Sequence, residues 1–124
     1  MTQSAQSLVF VYGTLKRGGS NHAFLAGQTF VRSARTVAGY SLVHLNDFPG
    51  MILDETDTSG VGGEIWSVDA ACLAGLDELE GIEEGLYRRE PIHLQTIHTH
   101  EIVQAYLYAG DVAGRPRLAG GQWP

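Results

Sequence analysis

Leu8-Val9-Phe10-Val11-Tyr12-Gly13-Thr14-Leu15 is a run of five β-prone apolar residues that ends abruptly on a glycine. Without a polar alternation, such a run reads as a strand buried on both faces, and therefore as the central strand of a sheet. The glycine lets the chain turn sharply, so that successive N–H groups can face one point and form an anion nest, with the Thr14 hydroxyl as an added donor. Ligands commonly sit at the end of such a strand. The stretch lacks both the order G-x-x-x-x-G-K-[ST] and the order G-x-G-x-x-G, so a nest this small suits a carboxylate better than a nucleotide. Strand-glycine-threonine turns are also common as purely structural features.

Downstream, Lys16-Arg17-Gly18-Gly19-Ser20 is a polar loop, after which Ser20 or Asn21 can cap a short helix through Ala23, Phe24 and Leu25 that Gly27 stops. The pattern then predicts strands over Thr29–Ala38, Tyr40–Leu45, Met51–Leu53 and Gly63–Asp69, separated by Gly39, by Asn46-Asp47-Phe48-Pro49-Gly50 and by the polar segment Glu55–Gly60. Asp69 caps a helix from Ala70 to about Glu80, with Gly81 in the C-cap position. A strand over Tyr87–Ile97, a turn at His98-Thr99-His100-Glu101 and a strand over Ile102–Ala109 form a hairpin. The Gly- and Pro-rich tail from Gly110 to Pro124 lies extended or is docked by Trp123. This is one α+β domain over residues 1–124, a small mixed β-sheet curling into a barrel with two short helices.

The helix over residues 70–80 sorts its carboxylates by direction. With Leu73 at zero, Cys72, Leu76 and Leu79 fall between about 240° and 300°, and Glu80 falls at about 340°, inside the same apolar arc. Asp77, at about 40°, sits at its edge, and Glu78, at about 140°, points away. Desolvation and the negative end of the helix dipole both disfavour an ionised Glu80, so its pKa should rise into the range useful to a general acid or base. The alternatives are that Glu80 frays with the last turn or pairs with Arg88 or Arg89.

Whole-chain properties exclude several functions. The chain has 124 residues, 44% of them hydrophobic and 18% charged, and a formal charge of −6 from 14 acidic and 8 basic residues. An acidic surface repels a phosphate backbone, which argues against nucleic acid as a partner. No apolar run approaches the roughly 20 residues that span a bilayer, so no membrane association is expected. A polar Met1–Ser7 without a basic and apolar signal, together with a single cysteine, Cys72, points to the cytoplasm. Cys72 lies on the apolar helix face without a predictable histidine partner, as a small hydrophobe does, not a nucleophile. His22, His44, His93, His98 and His100 lack ligand spacing, so no metal is expected.

Val9-Phe10-Val11-Tyr12-Gly13-Thr14-Leu15-Lys16-Arg17-Gly18 with Asn21-His22, then Leu76-Asp77-Glu78-Leu79-Glu80-Gly81 with Tyr87-Arg88-Arg89, resembles the AIG2-like γ-glutamylcyclotransferase family. Ala105-Tyr106-Leu107-Tyr108 and Gly121-Gln122-Trp123 extend the likeness over nearly the whole chain. The resemblance implies an enzyme in which Glu80 is the acid/base and Tyr12, Gly13, Thr14 and Leu15 bind the carboxylate of a small γ-glutamyl substrate. It implies release of 5-oxoproline and a free amine with no cofactor. The Thr-Leu-Lys-Arg-Gly form of the cradle is more similar to relatives acting on γ-glutamylamines than to those specialised for glutathione. Tyr87 and Tyr108 are candidates for substrate binding or oxyanion stabilisation, with sheet packing as their alternative role. Ile82-Glu83-Glu84-Gly85-Leu86 is acidic where relatives often carry a proline, and overhanging glutamates there would favour a cationic leaving amine. Two other readings compete: a carboxylate-binding module without turnover, and an enzyme that removes a γ-glutamyl protecting group in a biosynthetic pathway.

Overall fold

The computed structural model describes residues 6–45, 48–95 and 102–124. Seven strands and one α-helix follow in the order β1 (Gln6–Val11), β2 (Thr29–Arg35), β3 (Tyr40–His44), β4 (Pro49–Leu53), β5 (Gly62–Asp69), α1 (Ala70–Leu79), β6 (Tyr87–Pro91) and β7 (Val103–Tyr108). They form one mixed sheet in the order β2-β5-β1-β7-β4-β3, with β6 paired to β7 off that path.

β1 is internal, antiparallel to β5 on one side and parallel to β7 on the other. Its side chains alternate between two cores, as the period of two requires. Phe10 joins Leu42, Met51 and Ile65 on one face, while Val9 and Val11 join Trp66, Val68 and Leu76 on the other. All of these are almost wholly buried. Full burial of such side chains stabilises by about 1.5–3 kcal/mol each, so the central strand anchors both layers.

The sheet does not close into the expected barrel. β2 lies at one end of the strand path, and among the described residues the chain at its end meets the segment after β6 through the isolated bridge Thr36↔Leu94. β6 ends at Pro91, whose ring nitrogen has no hydrogen to donate to a further strand, and among the described residues that follow it Leu94 alone is bridged to the chain just after β2. β2 likewise stops at Arg35, short of Ala38.

Other differences have local causes. The segment near Asn21 is one turn of 3-10 helix, His22–Leu25, with no side-chain cap, because the Asn21 amide is bonded to Thr14 instead. β4 begins at Pro49, earlier than the turn chemistry indicates; proline is tolerated at the first residue of a strand. Gly50 lets that strand pass against Leu45 and Tyr108, where a Cβ would come within 2.8 Å of each. β6 and β7 form the antiparallel pair expected of a hairpin, and its turn at residues 98–101 falls outside the described residues. The tail is docked: Leu118 and His44 donate backbone bonds to Leu42 and Pro116, and Trp123 packs on the first core. No helix among the described residues is long and apolar enough to cross a membrane.

Candidate active site

The helix α1 starts where Asp69 accepts a hydrogen bond from the Cys72 amide at 2.8 Å. It ends on a specific motif: the amide of Gly81 donates to Glu78 and that of Ile82 to Asp77, each at 3.1 Å. These two bonds make a Schellman motif, with Gly81 at φ +65° just beyond the helix and Glu80 as the capping residue in right-handed geometry. Glu80 is therefore held in a defined conformation and does not fray. Leu76 is fully buried beneath it and Glu78 is exposed, as the helical wheel requires.

Neither arginine pairs with Glu80. Arg89 Nη1 binds both Asp77 oxygens at 2.9 and 2.8 Å, and Arg88 faces Glu90 at 3.6 Å. Among the described residues Glu80 belongs to no ion pair. Half-buried and unneutralised, its carboxyl is pushed up by desolvation from 4.5 to about 7.

The end of β1 forms the opposite wall. Its turn is held through carbonyls: Gly13 O accepts from Lys16 N at 3.1 Å, Thr14 O from Asn21 N at 2.9 Å, and Leu15 O lies 3.0 Å from His22 Nδ1. The amides of Gly13, Thr14 and Leu15 take no part in those bonds. The Thr14 hydroxyl accepts from Asn21 Nδ2 at 3.0 Å, so one asparagine fixes both the backbone and the side chain of the turn. Gly13 is required sterically, since a Cβ there would lie 2.7 Å from Pro49 Cγ.

Between these walls lies a cavity of about 330 Å³ that Tyr12, Gly13, Thr14, Leu15, Glu80 and Tyr87 all line. Tyr108 does not line it; its ring packs edge-on against Tyr87, with centroids 5.3 Å apart. Sequence reasoning missed Tyr106, Ser20 and Asn21, which also line the space, and the apolar Phe48, Leu79 and Leu86 at its mouth. The Asn21-His22 pair was a visible signal for one of them. Tyr106 gave none, because only the fold reveals that its hydroxyl donates to Asp77 on α1 at 2.8 Å while its backbone oxygen accepts from Tyr12 at 2.6 Å.

The tyrosine hydroxyls here are already engaged. Tyr12 donates to Tyr106 O and accepts from Met51 N at 3.2 Å, and Tyr87 donates to Pro49 O at 3.2 Å. Burial, followed by neighbouring charge including that of Glu80, holds both phenols above their ordinary value and so neutral. Glu83 and Glu84 are exposed and do not line the cavity, so the acidic loop does not overhang the site. Cys72 packs against the second core with its thiol pushed up by burial, as a structural cysteine should be. Among the described residues no three His, Cys, Asp or Glu side chains gather as metal ligands, and His98 and His100 lie outside them.

A cavity lined by the Gly13 turn and by a single desolvated carboxyl is suited to moving a proton beside a bound small molecule. Comparison with known proteins gives that arrangement a lineage. Residues 9–124 match the family described as Gamma-glutamyl cyclotransferase, AIG2-like, and the chain belongs to that family. An Arabidopsis thaliana protein provisionally named a gamma-glutamylcyclotransferase is 41% identical over 76% of this chain and 54% of its own length. The gamma-glutamylaminecyclotransferase A of Danio rerio is 36% identical over 82% of this chain and 67% of its own length. The crystal structure of a protein described as specific to uropathogenic E. coli superimposes with a TM-score of 0.78 at 31% identity, covering 95% of this chain and 92% of that one.

Proposed function

We propose that the protein is a γ-glutamylcyclotransferase that converts a γ-glutamyl amide to 5-oxoproline and a free amine, with Glu80 as general acid and base. The observation that carries this reading is an unpaired, desolvated carboxyl, near pKa 7, in the same cavity as the Gly13 cradle.

The substrate supplies its own nucleophile. Its α-carboxylate sits on the amides of Gly13, Thr14 and Leu15, which places the α-amino nitrogen towards Glu80. That nitrogen attacks the γ-carbonyl carbon, forming the bond that closes the five-membered lactam. The amide C–N bond then breaks. Starting from the neutral α-amine, Glu80 takes the one proton that this nitrogen sheds on becoming the lactam N–H and returns it to the departing nitrogen, so that an amine leaves and not an amide anion. Proton count and charge balance with no further reagent. Holding the reacting ends together in a small apolar space supplies effective molarity in place of a covalent intermediate. The hydroxyl of Tyr87 is engaged by Pro49, which favours a packing role for it; Ser20 and Asn21 also line the cavity, with one Asn21 N–H already held by Thr14, and are the other candidates for meeting the carbonyl oxyanion. Location in the cytoplasm would suit a soluble amide substrate of this kind.

The test is 5-oxoproline release from γ-glutamyl amines and dipeptides, measured by mass spectrometry for the native chain and Glu80→Gln. Loss of about 10²–10⁴ in kcat with the fold intact is expected, the range for removing a general acid or base. Saturable binding of a γ-glutamyl compound with no product from any of them would instead identify a binding module.

A further inference from the structure

We infer that the amine released by this protein carries an uncharged, apolar substituent, and that Leu86 and Leu79 are the residues that select it. The inference rests on the cyclotransferase reading and adds the chemistry of the leaving group to it.

The mouth of the cavity is apolar and exposed. Among the described residues seven large hydrophobic side chains are exposed, and three of them, Phe48, Leu79 and Leu86, line this one cavity. Leu86 is 55% exposed, Phe48 42% and Leu79 36%. Leu79 lies on the apolar arc of α1 yet is not covered by the core, because it faces the open cavity. The position of Leu86 is built: its amide donates to Gly81 O at 3.0 Å, its carbonyl accepts from Ala109 N at 2.9 Å, and its side chain lies where a Cβ on Gly81 would meet it at 2.8 Å. A fixed apolar patch beside a binding site is most simply explained by an apolar group of the ligand.

The charges point the same way. Among the described residues Glu80 is the only charged side chain lining the cavity. Nearby cations are engaged elsewhere: Lys16 with Trp123 O at 2.6 Å, Arg17 with Glu64 at 2.9 Å and Arg89 with Asp77. A leaving group bearing a carboxylate would be desolvated against Phe48, Leu79 and Leu86 with no cation to meet it. A cationic one would find only Glu80, which must exchange protons at the other end of the scissile bond. Glu83 and Glu84 stand in solvent, where their attraction is screened.

Three amides of glutamate's γ-carboxyl test this with one chain length: the amide of n-butylamine, of butane-1,4-diamine and of 4-aminobutyrate. They end in a methyl, an ammonium and a carboxylate. The butylamide should exceed each of the others by about tenfold or more in kcat/KM, and lengthening it should add about two- to fourfold per methylene that reaches the rim. Leu86→Glu, at an exposed position whose backbone bonds are kept, should move the ratio of diamine to butylamine substrate by about fivefold or more towards the diamine. Equal rates for the three amides, or a faster charged one, overturn the inference while leaving the cyclotransferase reading intact. So does a ratio unmoved in Leu86→Glu. Absence of 5-oxoproline from all three overturns both together.

Discussion

The raised pKa of Glu80 has a consequence for stability that needs no substrate. Its carboxyl titrates at 4.5 when exposed and at about 7 in the fold, with burial as the cause. Below the lower value both states hold the proton and the group contributes nothing. Between the two, the unfolded chain gives up its proton while the folded protein keeps it, so stability falls as pH rises. Above about 7 the folded protein must also ionise, and the cost is constant. The rise from 4.5 to about 7, at 1.36 kcal/mol per tenfold change in the ionisation constant, sets an upper bound of about 3 kcal/mol. Because the group is only half-buried, about 1–3 kcal/mol is the working range. Glu80→Gln removes the titration but keeps the side-chain shape. Urea unfolding of both proteins at pH 4.5, 6 and 8 measures the effect, and taking their difference cancels the histidines and other carboxylates. The variant should gain about 1–3 kcal/mol relative to the native chain between pH 4.5 and 8, with most of the gain below pH 7. A difference independent of pH would show that Glu80 has an ordinary pKa, and would remove the basis for its choice as base.

Gly13→Ala sets a Cβ 2.7 Å from Pro49 Cγ, so the turn or the start of β4 must shift, at about 1–3 kcal/mol of stability. Calorimetry measures that loss, and a KM for the γ-glutamyl substrate raised more than kcat is lowered would tie the turn to binding. Asp77→Ala removes the acceptor of Arg89 and Tyr106, leaving a half-buried guanidinium and the hydroxyl of a buried tyrosine less satisfied. About 1–3 kcal/mol should be lost in urea unfolding, and a loss below about 0.5 kcal/mol would mean the network is solvated and holds nothing.

Legibility in the sequence followed from how local each determinant is. The buried run at residues 8–12 needed only its own composition to be read, and it became the internal β1. Asp69 and Gly81 bounded α1 because capping is decided within a few residues, and the Schellman bonds of Gly81 and Ile82 are local in the same sense. The barrel was not legible, because closure depends on whether residues 36 and 94, far apart in sequence, meet along a ladder or at a point. They meet at a point. The choice of Glu80 over Asp77 and Glu78 came from direction on the helix, and the structure sets it in the cavity with the turn at residues 12–15. Tyr108 could be offered only as a candidate, with sheet packing as its alternative, because strand alternation places Tyr106 and Tyr108 on one face without saying which reaches the cavity. Tyr106 and Tyr87 line the cavity whereas Tyr108 packs against Tyr87, and only packing decides that.

The pair Asp77 and Glu80 shows how one helical turn separates two carboxyls of similar intrinsic strength. Spaced three apart, they share a side of α1. Asp77 meets Arg89 on β6 and Tyr106 on β7, so it ties the helix end to the strands that also carry Tyr87 and the backbone oxygen bonded by Tyr12. That tie occupies Arg89, while Arg88, the residue before it, turns to Glu90 as strand alternation requires. Glu80 is left half-buried and outside any ion pair among the described residues, on a backbone that the Schellman motif fixes. Its chemistry thus depends on a neighbouring ion pair it does not join. An arginine freed by loss of Asp77 would be drawn to Glu80 and would lower its pKa, so that Asp77→Ala should shift the acid limb of the activity profile to lower pH, whereas a purely structural role would reduce the rate without moving that limb.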